Sequence, residues 1–331
     1  MSKGGEDMAA NNESKLENIQ KVRACFYDGK IWTKNKIATQ TNLSLALTTN
    51  ILGELLEDNE IIYIGDADST GGRKSKRYIL NENYSHIGMI NLTKDHLKYV
   101  MKLSSFNLNE EKIFEVTNED DQGNLQSLMQ CTKILLEKDP LIEVIIISLP
   151  GVCVNGVVDL CDYQNLEGEN IVDCLSIISN RKVIVENDVN IACIGFSYEH
   201  PNVKQLAFMY QPSQDYVGCG IVLNGSLYNG FSHFAGELRY LPCYDSQSQD
   251  EMLIHDPEGL LMDQIVSLTA VLNPQMVGYH SDCFTSFKKK ITDYGIPSKH
   301  CPILVEVKDL DGEIEKGLFS IGLKNIKEKN V

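Results

Sequence analysis

The chain of 331 residues has no paired cysteines, no long apolar run and little positive charge outside its first quarter. Ten cysteines are present, at positions 25, 131, 153, 161, 174, 193, 219, 243, 283 and 301, and none falls in a CxC or CxxC spacing. That excludes zinc knuckles and ribbons, so no metal is expected. Single thiols scattered through apolar surroundings read as small buried hydrophobes of a protein kept in a reducing cytoplasm. No apolar stretch approaches the ~20 residues of a membrane span. The opening "MSKGGEDMAANNESK" has no apolar block of the kind a secretory signal needs. Residues 1–13 are expected to be a disordered lead-in, and the protein soluble, cytoplasmic and without membrane contact.

Charge is unevenly spread. The formal net charge is −16. Residues 1–80 hold eleven basic and eleven acidic side chains, and the remaining 19 basic and 35 acidic residues carry the whole excess. An acidic body repels nucleic acid, but a locally basic head can still bind it. The stretch "STGGRKSKRYIL" supplies such a head, with Arg73, Lys74, Lys76 and Arg77 and no acid.

Residues 14–82 read as a unit. Leu16, Ile19, Val22 and Phe26 recur at helical spacing before a stop at Asp28-Gly29. "TKNKIATQTN" predicts a second short helix. Ser44 suits the N-cap of a third that carries Ile51, Leu52, Leu55 and Leu56. "EIIYIGD" and "KRYILN" alternate as two strands around a Gly71-Gly72 turn. Three helices and a basic hairpin describe a winged helix-turn-helix that places its third helix in the major groove of operator DNA. Leu45, Ala46, Thr48, Thr49 and Asn50 form the expected exposed start of that helix. Lacking a cation, it leaves phosphate contacts to Lys34, Lys36, Arg73, Lys74, Lys76 and Arg77. Units of this size also serve as docking or dimerisation domains.

From residue 83 to 331 the pattern changes to α/β. "SHIGMINL", "DHLKYVMKLSSF" and "KIFEVT" read as successive strands. A helix (about 121–138), the strand "IEVIIISL", a helix at "NIVDCLSIIS" and the strand "KVIVE" follow. The order β-β-β-α-β-α-β is that of an actin-like, ribonuclease H-like lobe. A second lobe is expected from "QLAFMY" and "YVGCGIVLNGSLYNG", with helices near 259–272 and 284–294. The strand "PILVEV" and the helix "EIEKGLFSIGLKNI" are expected to pack back on the first lobe.

Amide and carboxylate side chains, which together supply the donors and acceptors that sugars require, fall at three loops: Asn165 in "YQNLEG", Asn187 and Asp188 in "ENDVN", and Glu237 in "HFAGELRY". Each has a plainer explanation. Asn187 or Asp188 suits the cap of the following helix, Asn165 lies in a turn-rich loop, and Glu237 follows a glycine as a solvated carboxylate would.

In order along the chain, "LPGVCVNGVV", "NLEG", "ENDVNIACIG", "GCGIVLNGSLYNG" and "AGEL" resemble the ROK family of bacterial sugar kinases and sugar-responsive repressors. The wing "GGRKSKRYILN" resembles the repressor branch, of the xylose or N-acetylglucosamine type, in which it typically runs Gly-Gly-Arg-Pro. The resemblance covers about residues 16–326. It implies that Asn187, Asp188 and Glu237 contact sugar hydroxyls, with Asn165 as a neighbour, and that in a kinase Asp188 would be the base that deprotonates the attacking hydroxyl.

The departures separate the branches. Phosphoryl transfer needs placed phosphate and metal ligands. The family kinases carry Asp-x-Gly-x-Thr where this chain has "GMINLT". They carry Gly-Thr-Gly where it has Gln214-Asp215-Tyr216, and Gly-Gly where it has Gly278-Tyr279-His280. Tyr240 stands at the usual His position, and "LPCYDSQSQDEML" replaces the family's zinc loop, leaving Cys243 alone; His233 lies nearby. The resemblance therefore implies a homodimeric, sugar-responsive DNA-binding regulator, a repressor of carbohydrate-use genes without nucleotide, cofactor or catalysis. The alternative is an active ATP-dependent sugar kinase.

Overall fold

The computed structural model describes residues 3–67, 74–95, 98–213, 217–242 and 246–328. Helix α1 spans Lys3–Phe26, so helix already occupies most of the segment expected to be a disordered lead-in. Its Met, Ala, Glu and Lys residues are good helix formers, and polarity alone does not oppose a solvated helix.

Next come β1 (Trp32–Thr33), α2 (Lys34–Thr41), α3 (Leu45–Glu57), β2 (Ile61–Asp66) and β3 (Lys76–Leu80). Thr33 caps α2 by accepting from the Lys36 N–H, and Asn42 in the left-handed region (φ 57°) ends it. Ser44 caps α3, its Oγ 3.2 Å from the Leu47 N–H. The apolar stripes meet in a core of Val22, Phe26, Ile37, Ile51, Leu52, Leu55, Ile61 and Tyr78. Under it, Arg23 donates twice to the buried Glu60 carboxylate, once at 2.8 Å. The strands order β1-β3-β2. The two-residue β1 has no periodicity of its own by which it could have been foreseen.

The first large sheet, β10-β7-β4-β5-β6, is built from β4 (His86–Asp95), β5 (Lys98–Phe106), β6 (Lys112–Asp120), β7 (Ile142–Leu149) and β10 (Lys182–Asn187). β4, β7 and β10 are parallel, while β5 and β6 add antiparallel. The unbroken apolar run of β7 fits its central place, buried on both faces. α4 (Leu125–Lys138), α5 (Ile171–Ser179) and a hairpin of β8 (Gly151–Val154) and β9 (Val157–Cys161) complete this part.

α6 (Asp188–Glu199) leads to the second sheet, β13-β12-β11-β14-β15. Its strands are β11 (Gln205–Gln211), β12 (Gly218–Leu223), β13 (Ser226–Leu227), β14 (Met276–Ser281) and β15 (Ile303–Glu306). α7 (Ser246–His255), α8 (Pro257–Val271) and the closing α9 (Leu310–Glu328) complete the chain.

Two expectations are corrected. Residues 284–294 are irregular apart from a 3-10 turn at Ile291–Tyr294. Phe284 and Phe287 pack on Tyr279, and Glu258 Oε1 accepts from the N–H groups of Lys288 and Lys289 at 2.5 and 2.6 Å. These tertiary bonds take the place of a helical ladder. The strand "PILVEV" does not join the first lobe: β15 pairs with β14 in the second sheet. α9 does pack on the first sheet, against β4 and β7. Gly278-Tyr279-His280, read as standing where the family kinases carry Gly-Gly, lies in the interior of β14. There a Cβ on Gly278 would sit 2.9 Å from the rings of Phe196 and Phe208.

α6 and α9 cross between the sheets in backbone contact. A Cβ on Gly195 would lie 1.9 Å from the Glu313 carbonyl oxygen, and one on Gly317 would lie 2.0 Å from that of Ile191. Around the crossing, one core joins Ile87, Val144 and Ile146 of the first sheet to Leu206, Phe208 and Val222 of the second. Tyr27 and Leu80 from the N-terminal unit pack on the same core, as does Tyr84 just beyond it. Among the described residues, no helix is long and apolar enough to cross a membrane.

Candidate functional site

The carboxyl end of β10 meets the start of α6 at Asn187, whose backbone is extended (φ −62°, ψ 141°). Its Oδ1 accepts from the N–H groups of Val189 and Asn190, at 3.0 and 3.1 Å, and its Nδ2 donates to the Gly151 carbonyl at 3.1 Å. Asn187 is thus the helix cap, and it also ties the strand end to the β8–β9 hairpin. Asp188 is the first helical residue, where a carboxylate is favoured by the helix dipole. Its Oδ1 lies 2.9 Å from the Val189 N–H.

Neither Glu186 nor Asn190 was among the residues expected to hold a ligand. Glu186 Oε1 accepts from the Asn187 N–H at 3.0 Å and from Asn190 Nδ2 at 2.9 Å. The i to i+4 spacing of these two polar residues beside the cap was the available signal.

Opposite stands the loop after β13. Gly236 is left-handed (φ 98°), and a Cβ there would lie 1.9 Å from the Cys219 carbonyl oxygen, so the loop lies directly on β12. His233 is also left-handed, at φ 59°. Between the two walls lies a cavity of about 130 Å³, lined by Glu186, Asn187, Asn190, His233, Gly236 and Glu237 among others. Val152, Val185 and Val189 give it apolar sides. Burial pushes the Cys219 thiol at its wall up to about 12, which removes it as a nucleophile.

Of the four residues expected to hold a ligand, Asn187 and Glu237 come together here. Asp188 is adjacent in the chain but is not among the lining residues. Asn165 is exposed and its Nδ2 donates to the Gln122 carbonyl at 2.6 Å, so it too lies outside the lining. Residues 214–216 and Cys243 fall outside the described residues, and Tyr240 is exposed against Phe234.

Elsewhere, Ser105, His86 and Asp139 form a buried cluster. Both Ser105 Oγ (2.6 Å) and His86 Nδ1 (2.7 Å) bond to Asp139 Oδ2. A nucleophilic triad needs the serine bonded to the histidine, whereas here both bond to the aspartate, which fastens β4 and β5 to the end of α4.

On the N-terminal unit, Leu45, Ala46, Thr49 and Asn50 are exposed at the start of α3. Thr48 is corrected: it is fully buried, with its hydroxyl donating to the Ser44 carbonyl at 2.9 Å. It shares the inward stripe with Ile51, Leu52 and Leu55. Lys36, Lys74 and Lys76 are exposed and Lys34 is half-buried. Lys76 Nζ lies 5.6 Å above the Tyr63 ring. Arg77 is half-buried, its Nε enclosed and without a hydrogen-bond partner among the described residues. Arg73 and the Gly71-Gly72 turn lie outside the described residues.

No family model matches the chain. Among curated proteins, it is 25% identical over 240 residues to a xylose repressor of Staphylococcus xylosus, covering 69% of this chain and 61% of that protein. It is 26% identical over 242 residues to a xylose repressor of Caldicellulosiruptor bescii, covering 69% and 59%. The matched region thus spans about three fifths of the length of these relatives. Among solved structures, a ROK family transcriptional regulator homologous to the E. coli MLC protein superposes with a TM-score of 0.69 at 14% identity, over 96% of this chain and 98% of that one. A ROK family protein from Streptococcus pneumoniae TIGR4 in complex with sucrose superposes with a TM-score of 0.60 at 15% identity, over 73% and 99%. A ROK hexokinase from Thermus thermophilus gives 0.52 at 13%, over 72% and 99%. The α/β body therefore has the actin-like fold of ROK proteins.

Proposed function

We propose that the protein is a sugar-responsive transcriptional regulator, a repressor of carbohydrate-use genes. Residues 14–82 act as its winged helix-turn-helix and residues 83–331 as its sugar-sensing body. The observation that carries this reading is coverage. The likeness to a ROK regulator runs through 96% of the chain, N-terminal unit included, whereas the sucrose-bound ROK protein and the hexokinase match 73% and 72%. The repressors of xylose among its relatives support the same assignment.

In this reading, α3 enters the major groove with Leu45, Thr49 and Asn50, while Lys34, Lys36, Lys74, Lys76 and the wing's Arg73 meet phosphates. Arg77 supports the wing from within. Two copies in a homodimer would read a pseudo-palindromic operator. Sugar enters the cavity between Asn187 and Glu237, and α6 and α9 link that cavity to the head. The N-terminus of α6 forms one cavity wall and α9 packs along α6. Near the far end of α9, Lys327 Nζ lies 4.9 Å above the Tyr27 ring of the N-terminal unit. A ligand that favours one lobe arrangement therefore changes the placement of the head, which is a coupling between two distinct sites. Asp188 keeps the position of a kinase base but has no phosphoryl donor to serve.

Fluorescence anisotropy with DNA from upstream of the protein's own gene tests this, run at two salt concentrations against unrelated DNA with a panel of monosaccharides. Sequence-selective binding altered by one sugar is the expected result. Selective binding that no sugar alters would leave a constitutive DNA-binding protein. Sugar-dependent MgATP turnover that disappears in Asp188→Asn would replace the regulator with a kinase.

A further inference from the structure

A second cavity, of about 510 Å³, lies at the other end of α6 from the first. Ile194 and Ser197 reach it from the second half of α6, Ser320 and Lys324 from the part of α9 beyond Gly317, and Leu227 from β13. The tight turn between β12 and β13 closes one side. Asn224 and Gly225 are both left-handed there, at φ 55° and 77°, and the Gly225 N–H donates to the Lys204 carbonyl at 3.0 Å. Ile194, Val203, Val222, Leu227 and Ile321 give the cavity apolar walls. Its volume is in the range of a small-molecule site.

The charge in this lining runs against that of the chain. The formal net charge of the protein is −16, yet the cavity holds two ammonium groups, of Lys204 and Lys324, and one carboxylate, of Glu328, among the described residues. Lys204 Nζ is fixed by the Pro201 carbonyl at 2.9 Å, which leaves further N–H donors of the ammonium open. Its stem runs beside the turn, since a Cβ on Gly225 would lie 3.5 Å from Lys204 Cδ. Lys324 Nζ makes no ion pair or hydrogen bond among the described residues, and neither do the hydroxyls of Ser197, Ser226 and Ser320. Open cationic and hydroxyl donors beside apolar walls call for a ligand with an anionic head and an apolar body.

We propose that this cavity is a second ligand site, separate from the cleft at Asn187 and Glu237, and that it takes an organic anion with a compact apolar body, a carboxylate or a phosphate monoester. Lys204 and Lys324 hold the head, while Ile194, Leu227 and Ile321 cover the body. The proposal needs neither the sugar cleft nor DNA binding. A ligand here rests on the helix pair α6 and α9, and α9 continues to Lys327 beside Tyr27 of the N-terminal unit.

Ligand-observed NMR titrations on the full chain test it. Octanoate, octyl phosphate, octylammonium and octan-1-ol share one apolar body, whereas acetate and inorganic phosphate are the heads alone. At least one octyl anion is expected to bind with a Kd of about 1 mM or tighter, and octylammonium at least about tenfold more weakly. An undirected apolar surface on so acidic a chain would rank the two charges the other way. The tighter of the two anions identifies the head. Lys204 and Lys324 are both exposed, so Lys204→Gln with Lys324→Gln leaves the core alone. That variant should weaken the anion at least about tenfold and leave octan-1-ol unchanged. Octylammonium bound as tightly as the octyl anions, or anion binding that the double variant does not weaken, overturns the assignment of the two lysines. Acetate or inorganic phosphate bound as tightly as the octyl anions shows an anion patch only and overturns the apolar part of the site. No uptake of either octyl anion at about 10 mM removes the site altogether. None of these probes is a sugar, so each outcome leaves the reading of the cleft at Asn187 as it stands.

Discussion

Replacing Gly195 by alanine tests the helix crossing on which the coupling of cavity to head depends. The added Cβ would sit 1.9 Å from the Glu313 carbonyl oxygen and 3.0 Å from the Gly317 nitrogen. Both are backbone atoms of α9, so no side chain can rotate away, and the helices must part by about 1 Å to restore ordinary contact. Two effects oppose each other. Alanine in place of glycine in a helix interior gains about 1 kcal/mol of helix propensity. Overpacking a tight core costs about 1–3 kcal/mol, and a rigid backbone contact belongs at the upper end. The clash wins, and a net loss of about 1–2 kcal/mol is expected. For a body of this size that lowers Tm by roughly 2–8 °C.

Urea unfolding followed by far-UV circular dichroism reads the body, while fluorescence of Trp32, the only tryptophan in the sequence, reads the N-terminal unit. Gly53 in α3 is the control. A Cβ there meets nothing within 4 Å, so Gly53→Ala should stabilise the head by about 0.5–1 kcal/mol. A Gly195→Ala protein as stable as its parent, or more so, would show that α6 and α9 are not in backbone contact.

Asn187→Ala should cost about 1–2 kcal/mol, from the lost cap and the untied Gly151 carbonyl, and should abolish the sugar response; Glu237→Gln should lose the response with under 1 kcal/mol of stability. Equal stability losses in the two variants, read by the same urea titration, would refute the division between cap and ligand-holder. Asn50→Ala should weaken operator binding about tenfold or more with Tm unchanged, whereas Thr48→Ala should lower the stability of the head by about 1 kcal/mol through its buried contacts. Anisotropy together with Trp32 fluorescence separates them, and a Thr48 variant that loses only DNA affinity would place Thr48 outward after all. Lys74→Ala with Lys76→Ala should flatten the salt dependence of DNA affinity by up to about 2 in log–log slope. An unchanged slope would take the wing out of the DNA contacts.

How much of this was legible in the sequence depended on whether local chemistry or a distant partner fixed each element. The three head helices could be read because their stripes and caps are local: Ser44 starts α3 and Asn42 ends α2. β1 could not, because two residues become a strand only when β3 lies alongside, with Trp32 opposite Tyr78. Phe284, Phe287 and Ile291 imitate a helical stripe, yet the rings are spaced to reach Tyr279 and Phe284 stacks at 6.3 Å on it. Periodicity records which residues are buried and not which backbone buries them. Thr48 erred the other way. A polar residue near a helix start was read as exposed, but one methyl and a hydroxyl returned to the Ser44 carbonyl suffice to bury it.

The candidate site divides along the same line. "ENDVN" announced a polar strand end but left open which residue is cap and which is ligand. Both Asn and Asp are good caps, and the choice turns on the extended backbone at Asn187 and the nearness of Gly151, 36 residues away in the chain. Once Asn187 is spent as the cap, the carboxylates along the cavity lining, among the described residues, are Glu186, on the same strand end, and Glu237, on the opposite wall. Neither half of that pair forms a site alone. It exists because β10 and the loop after β13, on different sheets, are brought face to face across α6. The glycine crossing at Gly195 and Gly317, which no local pattern reveals, holds α9 against that helix.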